Sequence, residues 1–245
     1  MIRPVQKRFL LRCGALAVAL VCAACSGSGG TPAALPPTST APSSPVKPFD
    51  APPDAATVGD TVANDMKMWV AIHVKGGDSQ KAKLDLQLNH DSAGGTVETG
   101  GLAMQLLRVG DKIWVKFNKG MADAARLSAK AFAAVDGKWV PTDSRMAGIF
   151  REGLSRALDF DFFVGAISDD LDRPGYSEGE PADLAGTPAV RYRNGSRAIY
   201  LKRSGSTYEL VRYESPTQGT LDFSGGDPVP LQAPPAAEIY SGPGS

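Results

Sequence analysis

Two histidines, two close groups of aspartates and three tryptophans are the side chains of this 245-residue sequence whose types and spacing invite a chemical reading. His73 lies in MKMWVAIHVK beside Trp69 and Ala71, and His90 lies in the turn-like NHDSAGG. Acyl transfer through either imidazole needs a nucleophile and an orienting carboxylate, and no G-x-S-x-G elbow accompanies them. Surface or core packing is the expected role of both. Asp169, Asp170 and Asp172 offer oxygens of the kind calcium takes, but without a glycine-punctuated loop they read as a solvated helix end. Asp159 and Asp161 in DFDFF have the pairing used in glycoside hydrolysis, yet the interleaved phenylalanines mark an amphipathic edge. Trp69, Trp114 and Trp139 could line a sugar-binding face, and each is also where a strand would place a core filler. SGSGG, residues 26–30, follows no strand and so is not a phosphate loop. The expectation is a protein without catalytic residues, bound metal or cofactor.

Chemistry of another kind is written at the cysteines. Cys13, Cys22 and Cys25 are the only three, and none lies further downstream, so the rest of the chain has neither an internal disulfide framework nor a Cys-ligated zinc. The first 24 residues combine a basic start (Arg3, Lys7, Arg8, Arg12), an apolar stretch from Cys13 to Ala24, and small Ala23 and Ala24 before Cys25. This is the layout of a bacterial export signal. The apolar stretch runs about a dozen residues, short of the roughly 20 that a spanning helix needs. AACSGSGG resembles the lipobox at which bacterial lipoproteins are acylated on cysteine and then cut, although Cys22 stands where an aliphatic residue is usual. On that resemblance residues 1–24 are removed and Cys25 becomes the acylated first residue. An ordinary signal peptide cut near Ala24 is the alternative, and KRFLL leaves the export route open, with a lysine where a twin-arginine signal has its first arginine.

Behind Cys25 the composition changes. Residues 26–56 hold eight of the nineteen prolines and almost no bulky apolar side chain, too little to offset ordering entropy. Residues 25–56 therefore read as the lipidated cysteine and a disordered tether, which at about 3.1 Å per residue could reach roughly 90 Å from a membrane. The whole chain balances 26 basic against 26 acidic residues; removing four basic ones with the signal leaves 22 against 26, a net charge of −4. No basic stripe suggests a nucleic-acid partner. Residues 57–239 show no second low-complexity break and read as one domain, with 240–245 a frayed tail.

Within that domain the hydrophobic period changes twice. MKMWVAIHVK places Met66, Met68, Val70, Ile72 and Val74 on one face, and AKLDLQLNH does the same with Ala82, Leu84, Leu86 and Leu88. A third strand is expected over about 95–109, bent or bulged at Gly100-Gly101, and KIWVKFN supplies a fourth. Residues 119–137, with seven alanines, predict a helix. A second opens at Asp143 or Ser144 and sets Met146, Ile149, Phe150, Leu154, Ala157 and Leu158 at helical spacing. DFDFFVGAISDDL is a candidate third. TPAVRYRNG, SRAIYLKRSG, TYELVRYES and GTLDFSGG then read as four consecutive strands. Strands, helices, strands implies an α+β fold: a single curved antiparallel sheet, a half-open barrel of about eight strands or more, covered on its concave side by two or three helices.

GTPAVRYRNGSRAIYLKRSGSTYELVRYESPTQGTLDFSGGDPVPLQAPP (186–235), with LRVGDKIWVKF and DGKWV earlier, resembles the actinobacterial envelope lipoproteins of the LprG/LppX group and their LolA-like relatives. The similarity spans most of residues 60–236. It implies a half-barrel whose concave face holds acyl chains such as palmitate, and a non-enzymatic lipid-binding or lipid-transport protein anchored to the outer face of the cell membrane. A sixteen-carbon chain in water forfeits about 0.8 kcal/mol per methylene, on the order of 12 kcal/mol, so a carrier needs an apolar cavity. The inward candidates are Val70, Ile72, Leu84, Leu86, Leu88, Ile113, Val115 and Phe117 from strands, with Met146, Ile149, Phe150 and Leu154 from the helix. The same residues equally suit a dry, packed core. The expected partners are the membrane through Cys25, an acylated ligand and an envelope transporter, with the chain itself a monomer. The alternative is a tethered protein-interaction module with a filled core.

Overall fold

The computed structural model describes residues 52–242 except 79–81, 101, 125 and 206, so the signal, Cys25 and the tether up to residue 51 lie outside the described residues. The chain enters through helix α1 (Val58–Met66) and then lays down a meander of β1 (Ala71–Asp78), β2 (Ala82–Asn89), β3 (Ser92–Thr99), β4 (Leu102–Val109) and β5 (Lys112–Phe117). Helices α2 (Lys119–Ala124) and α3 (Ala129–Val135), the short β6 (Val140–Pro141), a 3-10 turn (Gly148–Phe150), α4 (Arg151–Ala157) and α5 (Phe160–Leu171) follow. A second meander closes the fold: β7 (Glu180–Leu184), β8 (Thr187–Asn194), β9 (Arg197–Ser204), β10 (Thr207–Ser215) and β11 (Gly219–Gly225).

All eleven strands form one curved, unclosed antiparallel sheet in the order β6-β5-β4-β3-β2-β1-β11-β10-β9-β8-β7. The two meanders meet where β1 pairs with β11, with Val74 opposite Phe223. Close approach of the strands needs glycine at two positions: Gly76 and Gly95 have φ of +126° and +147°, and a Cβ there would run into the carbonyls of Thr220 and Asp85. The helices cover the concave side, giving the α+β half-barrel that the order of elements implies.

One outer row of paired residues crosses ten strands, passing a register shift between Leu210 and Arg212 on β10: Lys116, Gln105, Thr96, Asp85, Lys75, Asp222, Arg212, Tyr200, Arg191 and Glu180, from β5 to β7. Opposite charges meet along it, Lys75 Nζ 3.2 Å from Asp85, Arg212 forked onto Asp222 at 2.6 and 3.2 Å, and Arg191 2.7 Å from Glu180. Most of the convex face is thus a neutralised polar surface, with a small apolar patch of Ala189, Ala198 and Tyr200 on its second half, and the adjacent inward residues form the core.

Both edges of the sheet are guarded. On β7, Pro181 withholds a donor and Glu180 and Asp183 keep the strand wet. At β6 the C-terminal segment lies alongside: Trp139 N donates to Glu238 O at 2.8 Å and Tyr240 N to Trp139 O at 2.9 Å. On its way there Asn89 Nδ2 holds the Val229 carbonyl at 2.8 Å. Tyr240 packs on the core.

Several expected boundaries differ. Met66 ends a helix and does not begin a strand: Val58, Val62, Ala63 and Met66 are the buried stripe of α1, and β1 starts only at Ala71. Gly100 belongs to a hairpin joining two strands, not to a bulge in one. The alanine-rich stretch forms two short helices, because Arg126 takes φ of 55° and Ser128 starts afresh as N-cap, its Oγ accepting from Ala131 N at 3.2 Å. No α-helix opens at Asp143 or Ser144; turns and the 3-10 segment delay it to Arg151. Residues 160–171 form the longest helix described, capped by Asp159, whose side chain accepts from Phe162 N at 2.8 Å.

Candidate ligand-binding face

The concave face is built by strand alternation from β1 to β5 and from β8 to β11. Ile72, Leu86, Leu88 and Val115 have no exposed surface, Ile113 and Phe117 almost none, and Leu84 is half-buried at the margin. From the helical side Phe150 and Leu154 are buried and Met146 packs partly against them. These ten of the twelve expected ligand-face residues belong to one contiguous apolar cluster.

Two do not. Val70 is 50% exposed, because it lies before β1 in the connection from α1, where strand parity does not apply. Ile149 is 78% exposed, because the 3-10 turn carries it away from the side that Phe150 and Leu154 present to the sheet.

The roof comes mainly from residues the sequence reading left aside. Phe160, Phe163, Val164, Ile167 and Leu171 of α5 are buried at steps of three, one, three and four residues, a helical signal present in the sequence. α1 packs on α5, with Ser168 Oγ donating to Ala63 O at 3.3 Å. Tyr192, Ile199, Leu201 and Tyr213 complete the floor under the second half. Where side chains have no exposure, no void wide enough for water adjoins them, so the face is filled by its own helices at those positions.

Charge sits at the rims of this face. Arg108 Nη1 lies 3.3 Å from Asp159 Oδ2 and Nη2 donates to His90 O at 2.6 Å. At the other end of α5, Asp170 accepts from Arg197 and Arg173 at 3.1 Å each and from the Tyr213 hydroxyl. Burial and the neighbouring Asp170 push the Tyr176 hydroxyl up to about 12, so it stays protonated. Asp65, beneath Trp69 Nε1 at 3.1 Å, is pushed up to about 6 by burial, against which the tryptophan hydrogen bond works.

The other candidates are placed apart. His73 lies on the convex side, Nε2 2.6 Å from Asp85, and His90 lies against Phe160 with Nδ1 3.2 Å from Asp161. Burial raises the Asp85 carboxyl, but hydrogen bonds from His73 and Lys75 outweigh it and hold the group below its ordinary value. The shallow hollow beside this pair, lined by Lys75, Gly76, Lys83, Leu84, Asp85, Thr96 and Glu98, is about 230 Å³, small and charged for an acyl ligand. Trp69 packs near Phe223, Trp114 faces Pro141 across β5 and β6, and Trp139 pairs with Ile239 under Lys116, so the three serve separate contacts. Among the described residues no three His, Cys, Asp or Glu side chains are grouped to hold a metal, and no helix is long and apolar enough to cross a membrane. Compared with models of known protein families and with curated proteins, the chain matches none.

Proposed function

We propose that the chain is a lipid-anchored protein of the cell envelope, tethered through acylated Cys25 to the outer face of the membrane, which binds an acylated ligand non-enzymatically and carries or presents it. The observation that carries this reading is an unclosed sheet whose apolar concave face is roofed by helices and not by a second sheet. A helical roof can withdraw as a unit without breaking any strand pairing. The ligand then replaces the inner faces of α4 and α5, and at about 0.8 kcal/mol per methylene its burial offsets the surface that those helices expose. The LprG/LppX resemblance and the lipobox-like AACSGSGG support the same reading from the sequence side.

The complete burial of Ile72, Leu86, Leu88 and Val115 favours a second reading, a tethered protein-interaction module with a permanently filled core. Native mass spectrometry with organic extraction separates the two. The full chain, expressed with its export signal in a related host, is expected to carry acylated molecules or to take up added palmitate. A bare protein mass that persists with excess palmitate contradicts the carrier reading and leaves the module.

A further inference from the structure

The inner face of β4 carries a cation where its pattern calls for an aliphatic residue. Met104 and Leu106 point into the core, and Arg108, two residues on, shares their face. Its register neighbours are Ala93 on β3 and Ile113 on β5, and the rung continues through Leu88 and Ile72, so a guanidinium interrupts an otherwise apolar row. Arg108 is only 9% exposed, and its buried Nε has no hydrogen-bond partner. Arg197, the inward arginine at the far end of α5, gives both Nε and Nη2 to Asp170, at 3.2 and 3.1 Å. Arg108 gives Nη1 to Asp159 at 3.3 Å, a carboxylate whose other oxygen already caps Phe162 N, and Nη2 to the His90 carbonyl at 2.6 Å, so unlike Arg197 it leaves its Nε unmatched. A buried charge kept in an apolar row with an incomplete set of acceptors is poorly explained by stability.

We propose that Arg108 is the anion-recognition residue of the concave face, receiving the acidic headgroup, carboxylate or phosphate, of an acylated ligand in exchange for Asp159. The proposal rests on the carrier reading above and names its ligand class. The parallel donors beside the unpartnered Nε belong to Nη2, so an incoming carboxylate or phosphate can take Nε together with Nη2, which has a second N–H for the His90 carbonyl, and the charge it brings competes with Asp159 on Nη1. The first-turn amides of α5, a twelve-residue helix, point toward the same rim and favour negative charge there. The exchange frees the N-terminus of α5 at the moment the headgroup docks, because Asp159 is both its cap and the counter-ion of Arg108. Recognition of the headgroup is thereby coupled to lifting of the roof over the row in which the acyl chain lies.

The test is equilibrium binding to the full chain with two matched pairs: palmitate against hexadecanol, and dipalmitoyl phosphatidate against dipalmitoylglycerol. The acid of at least one pair is expected to bind about tenfold or more tighter than its neutral partner, and Arg108→Gln to bring that ratio within about twofold. The pair that discriminates tells carboxylate from phosphate. Asp159→Asn keeps an N-cap acceptor but removes the competing charge, and is expected to tighten the preferred acid about three- to tenfold. Equal binding of acids and neutral partners, an acid preference that survives in folded Arg108→Gln, or no tightening in Asp159→Asn overturns the proposal and leaves the carrier reading standing. Failure of all four ligands to bind overturns both.

Discussion

The carboxylate of Asp170 on α5 accepts Arg197 Nε of β9 at 3.2 Å and the Tyr213 hydroxyl of β10, so the last turn of the roofing helix is tied to two adjacent strands. Asp159 ties the first turn to Arg108 of β4, on the other half of the sheet. The helix thus bridges both meanders, held by charge at its ends and by Phe163, Val164 and Ile167 between them. Burial, then the hydrogen bond and charge of Asp170, raise the Tyr213 hydroxyl above its ordinary value, so it remains a donor at neutral pH.

Asp170→Asn removes the charge that Arg197, Arg173 and Tyr213 share. The arginines keep some solvent, so the loss is smaller than for a fully buried pair, about 2 kcal/mol. Urea unfolding should show a lower midpoint with an unchanged slope. An unaltered midpoint would mean that this end of α5 is not fastened by charge.

Asp65 gives the protein a pH dependence of its own. Its folded pKa of about 6 lies above the ordinary 3.8, so the folded state holds the proton more tightly. Its contribution is fully present below pH 3.8 and declines as pH rises through about 6, because ionisation then strands a desolvated carboxylate. Asp85 has the opposite sign, its contribution being present at neutral pH and lost in acid. Asp65→Asn keeps an acceptor for Trp69 and should stabilise the protein at pH 7.5 by about 1 kcal/mol, discounted for partial exposure, with little effect at pH 4. Thermal melts at the two pH values check this; equal shifts at both would refute it.

The segment at residues 236–240 protects an edge of the sheet. Removing residues 236–245 deletes Glu238, Ile239 and Tyr240 from beside Trp139 and bares β6. The expected result is a loss of about 2 kcal/mol and concentration-dependent association through the open edge. Size-exclusion chromatography over a range of concentrations checks the association, and a stable, monomeric truncation would contradict it.

Position 70 separates the sequence reading from the structure. Val70→Trp should leave both stability and palmitate uptake unchanged, since Val70 is half exposed ahead of β1. Leu86→Phe overfills a site with no exposed surface, costing about 1–3 kcal/mol and lowering uptake. If Val70→Trp blocks uptake and Leu86→Phe does not, the ligand lies outside the concave face.

The architecture was legible wherever one face of a strand is wet. β2, β5, β10 and β11 alternate because an outer residue of each belongs to the polar row, so period two marks both their existence and their inward side, whereas on β8 and β9 the outer Ala189, Ala198 and Tyr200 are themselves buried together. α1 was hidden by coincidence: Met66, Met68 and Val70 share the parity of Ile72 and Val74, and alternation ran backward into a helix whose own stripe is Val58, Val62 and Met66. The break at Arg126 was invisible because alanine-rich flanks have high helix propensity on both sides and tertiary packing decides where they part. Arg108 escaped notice because a lone arginine in LRVGDK reads as an outward charge, and only strand register places it in an apolar rung.

The measurement that tests the account most directly is photo-crosslinking of the full chain with a palmitate analogue bearing a diazirine near its methyl end, mapped by peptide mass spectrometry. The account predicts labels on inward residues such as Leu86, Leu88, Val115 and Leu154, competed away by unlabelled palmitate. Labels confined to the exposed Met68, Val70, Ile149 and Phe162 would show that acyl chains only coat the surface, and would contradict a binding site between sheet and helices.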